Sequence, residues 1–178
     1  MLHGTHIVLR PIEVEDLPRY VRWFADSRVL EYFGPFRPMN LAQERAWWDA
    51  QNSDRSAVNF ACEFEGRHIG GGGFCGIDHM HRRAEVGLCI GEPDLWDRGL
   101  GTDMLRTLLA YGFDYLNLHR VSLRVFAENM RALHAYERLG FVHEGRFREA
   151  EWRHGKWHDL LLMSILSREW AQAAGRPL

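Results

Sequence analysis

The sequence has little of what builds a secreted, membrane-bound or nucleic-acid-binding protein. Cysteine is scarce: three in 178 residues, at Cys62, Cys75 and Cys89. An odd number at these wide spacings forms no C-x-x-C pair, zinc knuckle or disulfide framework. A reduced, cytoplasmic protein is expected, with its cysteines serving as small apolar residues. An excess of one charge is missing too. Lys and Arg number 22 and Asp and Glu 24, a net charge of −2, without the basic surplus a nucleic-acid binder carries. No apolar run approaches the roughly 20 residues of a membrane helix. Met1-Leu2-His3-Gly4-Thr5 also lacks the basic-then-apolar pattern of a signal peptide. Neither a nucleic acid nor a membrane is therefore expected as a partner. There is no repeat, low-complexity tract or linker, and the length suits one core, so residues 1–178 are read as a single domain.

What is present is a change of period along the chain. Thr5 to Leu9 alternates as a strand does, and Leu17, Tyr20, Val21 and Phe24 follow at helical spacing. Asn40 with Gln43 three residues on makes a capping box for a helix that carries Trp47 and Trp48. Ala57–Phe64, His68–Cys75 and Ala84–Ile90 then read as an antiparallel meander. The four glycines Gly70 to Gly73 suit a bulge or close backbone packing rather than chemistry. Met104, Leu105, Leu108, Leu109 and Leu116 form a helical stripe, Val121, Leu123 and Val125 a strand. Asn129 opens another helix that Gly140 stops. Phe147–Trp152 and Trp157–Ile165 close the chain as a hairpin around His154-Gly155. The order β-α-α-β-β-β-α-β-α-β-β predicts a mixed sheet covered by helices.

Trp96-Asp97-Arg98-Gly99-Leu100-Gly101-Thr102 lies between a strand and an amphipathic helix. Glycines there let the backbone approach a ligand, and a helix N-terminus offers unpaired N–H groups and a partial positive charge. The loop fits a pyrophosphate, or is simply a tight turn. It is no Walker A loop, since Thr102 follows Gly101 without a lysine, and no dinucleotide fingerprint, since Met104 stands where a third glycine belongs.

About 28 residues on comes Glu128-Asn129-Met130-Arg131-Ala132-Leu133-His134-Ala135-Tyr136-Glu137-Arg138-Leu139-Gly140-Phe141. Together the two segments resemble the GNAT superfamily of acetyl-CoA-dependent N-acyltransferases. The first is similar to its Q/R-x-x-G-x-G/A pyrophosphate loop, with Trp96 in place of Gln or Arg. The second is similar to its E-N-x-x-A-x-x-x-Y-E-x-x-G-F helix. Leu9-Arg10-Pro11 with Asp16 looks like the family's opening strand and helix. Trp-x-x-Gly-x-Gly is similar to the branch of ribosomal-protein N-terminal and polyamine acetyltransferases.

The resemblance implies an α/β fold with a mixed, mostly antiparallel seven-stranded sheet, splayed at its centre, and about four flanking helices. It implies acetyl-CoA as co-substrate and no metal. Val86 to Ile90 would splay from the next strand, with backbone of Leu88, Cys89 and Ile90 beside the pantetheine arm. Arg98, Gly99, Leu100, Gly101 and Thr102 would hold the pyrophosphate, Asn129 the pantetheine and Arg131 a phosphate.

Two tasks remain for side chains. The leaving thiolate needs a proton, and Tyr136, with an ordinary pKa near 10, is the candidate acid. The acceptor ammonium must lose a proton, and Glu85 is the candidate acceptor, with Arg82 or Arg83 as its expected neighbour if it is merely a strand residue. Glu31, Trp47 and Trp48 are candidates for holding the amine through charge and cation–π contact. Trp152 and Trp157 are left open as packing residues or a homodimer contact. The expected activity is acetyl transfer to a small amine or a protein N-terminus. A CoA-binding sensor or interaction module without catalysis is the alternative.

Overall fold

The chain's alternating segments fold into one sheet, described for residues 1–33 and 38–173 by a computed structural model. The strands are β1 (Leu2–His3), β2 (Ile7–Pro11), β3 (Val58–Phe64), β4 (Arg67–Asp78), β5 (Arg83–Ile90), β6 (Arg120–Phe126), β7 (Val142–Arg153) and β8 (Lys156–Leu166). The helices are α1 (Leu17–Trp23), α2 (Leu41–Ser53), α3 (Leu100–Asp114), α4 (Met130–Arg138) and α5 (Ser167–Ala173). The sheet order is β1-β2-β3-β4-β5-β6-β8-β7, and every neighbouring pair is antiparallel except β5–β6.

The resemblance implied seven strands and about four helices; the described residues form eight and five. The extra strand, β1, is two residues long, too short to show alternation. The extra helix, α5, is a seven-residue segment directly continuing β8.

Local signals explain the elements. The α2 capping box forms in both directions, Asn40 Oδ1 accepting from Gln43 N and Gln43 Oε1 from Asn40 N, each at 3.0 Å. His154 and Gly155 take φ +51° and +77°, the left-handed pair that a two-residue hairpin needs. The α3 stripe buries Met104, Leu105, Leu108 and Leu109 against Phe74, Val86 and Val121 of the sheet. Leu116 lies just past the end of α3. Cys62 is buried and Cys89 half-buried, whereas Cys75 is exposed. Among the described residues no helix is long and apolar enough to cross a membrane.

One irregularity places the site. β5 and β6 pair only at Arg83↔Arg120, Ala84↔Val121 and Glu85↔Ser122. Beyond Glu85 the two parallel strands diverge, so β5 is held by β4 alone, with Gly70↔Ile90, Gly71↔Cys89, Gly72↔Leu88 and Gly73↔Gly87 in register. The glycine run is close packing, as its sequence suggested. A Cβ on Gly70 would stand 2.1 Å from the Cys89 carbonyl oxygen, and one on Gly73 2.0 Å from that of Val58.

Candidate active site

The divergence opens a cavity of about 760 Å³. The directions of the β5 backbone groups follow from one bond. Gly91 N donates to Ile69 O of β4 at 2.9 Å. In a trans peptide the carbonyl and N–H point oppositely, so the Ile90 carbonyl turns into the gap. The two-residue period of a strand then turns the N–H and C=O of Leu88 and the N–H of Ile90 the same way. These are the groups a ligand lying along β5 would meet.

At the gap's mouth stands the N-terminus of α3. Gly99 caps it at φ +79°, and the first helical bond runs from Asp103 N to Gly99 O at 3.0 Å. The N–H groups of Leu100, Gly101 and Thr102 therefore precede the intrahelical ladder. A Cβ on Gly101 would meet Ile90 and Leu88 side chains only at 3.8 and 3.9 Å, leaving room between helix and strand. Asp103, an acid in the same turn, looks elsewhere, its carboxylate accepting from Thr5, His6 and Ile7 N–H at 2.9, 2.7 and 3.3 Å. Burial works to raise its pKa, but these donors outweigh it and hold the carboxylate below its ordinary range.

Trp96 donates its indole N–H to Ile90 O at 2.8 Å. Its ring lies under the Arg131 guanidinium, 4.3 Å from the centroid, and Arg131 also stands 3.9 Å from Asp97. Asn129 caps α4 by accepting from Ala132 N at 3.2 Å, and it lines the cavity as well.

Tyr136 of α4 also lines the cavity. Burial pushes its hydroxyl up to about 12, with Cys89 a lesser cause. Burial likewise pushes the Cys89 thiol up to about 12. Both groups therefore stay protonated at neutral pH. Glu85 lines the cavity from the last position at which β5 pairs with β6. Its partner is Arg124, at 3.1 Å, and not Arg82 or Arg83, which turn to Asn117 and Asp78. The reason is the register: Glu85 sits opposite Ser122, and Arg124 is the next β6 residue on that face.

The family model for the acetyltransferase (GNAT) domain matches residues 6–142. The chain belongs to this family. The spermidine N(1)-acetyltransferase of Escherichia coli K12 is 32% identical over 165 residues, covering 92% of this chain and 88% of that protein. YdaF of Bacillus subtilis, named as a proposed ribosomal N-acetyltransferase, is 31% identical over 123 residues, 69% of this chain and 67% of that protein. The crystal structure of spermidine N-acetyltransferase from Vibrio cholerae in complex with CoA and spermine superposes with a TM-score of 0.86 at 27% identity, covering 94% and 99% of the two chains. The chain is thus an acetyl-CoA-dependent N-acetyltransferase.

In this GNAT enzyme eleven of the fifteen candidate residues line one cavity: Glu85, Leu88, Cys89, Ile90, Gly99, Leu100, Gly101, Thr102, Asn129, Arg131 and Tyr136. Arg98 does not, its guanidinium lying over the Phe64 ring at 5.2 Å. Trp47 and Trp48 line a separate groove of about 110 Å³ beside Gln51 and Asn59, and Trp48 Nε1 donates to Ile12 O at 3.0 Å. The reason is that α2 packs on α1 and its Trp47–Trp48 turn lies over the end of β2. Glu31 stands next to the cavity without lining it. Its neighbours Val29, Tyr32 and Phe33 do, Tyr32 against the Phe126 ring with centroids 5.6 Å apart and Phe33 O accepting from Arg153 Nη1 at 3.3 Å. Sequence periodicity gave no sign of Tyr32 and Phe33, which belong to irregular chain. Phe126 breaks the β6 alternation, standing on the face of Ser122 and Arg124 where a polar residue is expected, and that departure was the signal available. Among the described residues no three His, Cys, Asp or Glu side chains gather as a metal site.

Proposed function

We propose that the enzyme acetylates a primary amine of a small aliphatic polyamine, by direct attack of the amine on the thioester of acetyl-CoA. The observation that carries this reading is the single gap in which Glu85, Tyr136 and the α3 N-terminus meet. Leu88 backbone would take the amides of the pantetheine arm as a neighbouring strand would. The N–H groups of Leu100, Gly101 and Thr102 would hold the diphosphate. Glu85, through water, takes the proton of the acceptor ammonium. The amine nitrogen then forms the C–N bond, the C–S bond breaks, and the Tyr136 hydroxyl gives its proton to the leaving sulfur. The extra proton on the new amide nitrogen returns through water to the Tyr136 oxygen, and Glu85 releases the proton it took to solvent, so product and enzyme are both restored.

Similarity to spermidine acetyltransferases over nearly the whole chain supports a polyamine acceptor. So does the Tyr32 ring on the cavity wall, an aromatic group that suits a cation, whereas the Phe126 ring already carries the Arg153 guanidinium at 5.4 Å and Phe33 is stacked on Phe24. Of the arginines there, Arg28 is matched by Asp26 and Arg124 by Glu85. A protein N-terminus is the second reading, favoured by the likeness to YdaF.

An acetyl-transfer screen read by mass spectrometry decides between them. It offers spermidine, spermine, amino acids, aminoglycosides and peptides with free N-termini. Acetylated spermidine with matching release of free CoA is expected. Acetylation confined to peptides would transfer the assignment to the second reading, and CoA binding without transfer to any amine would make the protein a sensor. Within the same assay, Glu85→Gln is expected to lower kcat/KM about tenfold to a hundredfold at neutral pH and to change the pH–rate profile. A profile identical to wild type would remove Glu85 from the reaction.

A further inference from the structure

Trp96 stands where the family's pyrophosphate loop usually has Gln or Arg, and its side chain joins three parts of the site. Its N–H takes the Ile90 carbonyl, the last of the groups that β5 turns into the gap. Its ring face carries Arg131 from the first turn of α4. Its backbone begins the loop that leads to Gly99 and the α3 N-terminus. Arg131 is about half exposed and stands beside Asp97 of that loop. An arginine on a solvated helix turn would ordinarily sample many rotamers. Stacking on an indole removes much of that freedom, because a planar guanidinium and a planar ring share one orientation.

We infer that Trp96 is a positioning residue for the co-substrate: it stops strand-like pairing along β5 short of the Ile90 carbonyl and holds the Arg131 guanidinium beside the α3 N-terminus, where the diphosphate of CoA binds. This rests on the reading of the gap as the CoA site. Two consequences follow from the geometry. The amide-bearing arm pairs with the Leu88 N–H and C=O and the Ile90 N–H, while the Ile90 carbonyl is already taken. The charged end of CoA meets a cation whose orientation is set before binding, so less side-chain entropy is lost on association.

The test compares CoA with pantetheine, which lacks the diphosphate, by calorimetry on wild type, Trp96→Leu, Trp96→Phe, Arg131→Gln and the Trp96→Leu/Arg131→Gln double variant. Trp96→Leu is expected to weaken CoA about tenfold and pantetheine less than twofold. Trp96→Phe keeps a ring under Arg131 and is expected to lose only about threefold. The double variant should bind CoA no worse than Arg131→Gln alone, the signature of two residues acting through one contact. With saturating acetyl-CoA, kcat should stay within twofold while KM rises. Melting curves accompany each variant, and if Trp96→Leu does not fold, Trp96→Phe and Arg131→Gln carry the comparison. Equal weakening of CoA and pantetheine, additive losses in the double variant, or wild-type affinity in Trp96→Leu would each overturn the role. Wild-type protein that gives no heat with CoA would overturn the cofactor reading as well, a result distinct from the other three.

Discussion

Tyr136→Phe is expected to reduce kcat about a hundredfold to a thousandfold while leaving the calorimetric Kd for CoA within twofold. The change deletes one oxygen and keeps the ring, which packs against Phe141 with centroids 5.8 Å apart. The position is fixed from both ends of α4: Asn129 caps its start, and Gly140, at φ +91°, lets the chain turn back through the Phe141 N–H, which bonds to Tyr136 O at 3.1 Å. The melting temperature should therefore not move. What is lost is a hydroxyl that can donate to a departing sulfur. Burial raises its pKa to about 12, and an acid must be protonated to act. In wild type this group therefore limits the rate only as pH rises toward 12, and no decline below pH 10 belongs to it. Turnover unchanged in Tyr136→Phe would leave the residue only a packing role beside Phe141.

The second large effect is on stability. Gly73→Ala is expected to lower stability by about 3 kcal/mol or more, at the upper end of overpacking costs. That corresponds to roughly 10 °C in melting temperature for a chain of this size. The added Cβ would lie 2.0 Å from the Val58 carbonyl oxygen and 2.8 Å from Asn59 Cα. Both are backbone atoms of β3, so no side chain can turn aside to make room. Gly145→Ala provides the contrast, since nothing lies within 4 Å of its Cβ position, and its melting temperature should stay near wild type. Thermal unfolding followed by circular dichroism measures both. Equal melting of the two variants would show that β3 and β4 separate at little cost. The comparison bears on the site because β4 is the sole neighbour of β5 beyond Glu85. Any shift of β4 is passed directly to the wall of the cavity.

The sequence and the structure agree where the signal is local. The α2 capping box, the α3 stripe from Met104 to Leu109, the Gly99 turn and the Gly140 stop each depend on residues within one or two helical turns, and each forms where the spacing put it, while Leu116, placed on the same stripe, lies past the end of α3. The Trp96–Thr102 loop and the Asn129–Tyr136 helix were picked out by their resemblance to two ordered family motifs, and the structure brings both to one cavity. What could not be read depends on which elements meet. Trp47 and Trp48 have the chemistry of a cation site, but α2 lies on α1, so their rings face a different groove. Arg124 as the neighbour of Glu85 follows from the register of two parallel strands separated by a whole helix, which no short-range pattern encodes. The Trp96–Ile90 bond was hidden for the same reason: six residues apart in sequence, the two are joined through a turn whose path the composition does not fix.

The diverging strands have one last consequence. A sheet margin with unused amides normally invites another protein chain to add to it, which is how many edges start aggregates. Here two such margins face each other inside the sheet, between β5 and β6, flanked by α3 and α4. Each margin is a single strand's edge with the other strand across from it, so an added sheet has no open side to join. Only something slender, stretched out and able to exchange hydrogen bonds along its length can slide in, so the protein screens its visitors by thickness before any charged group is consulted.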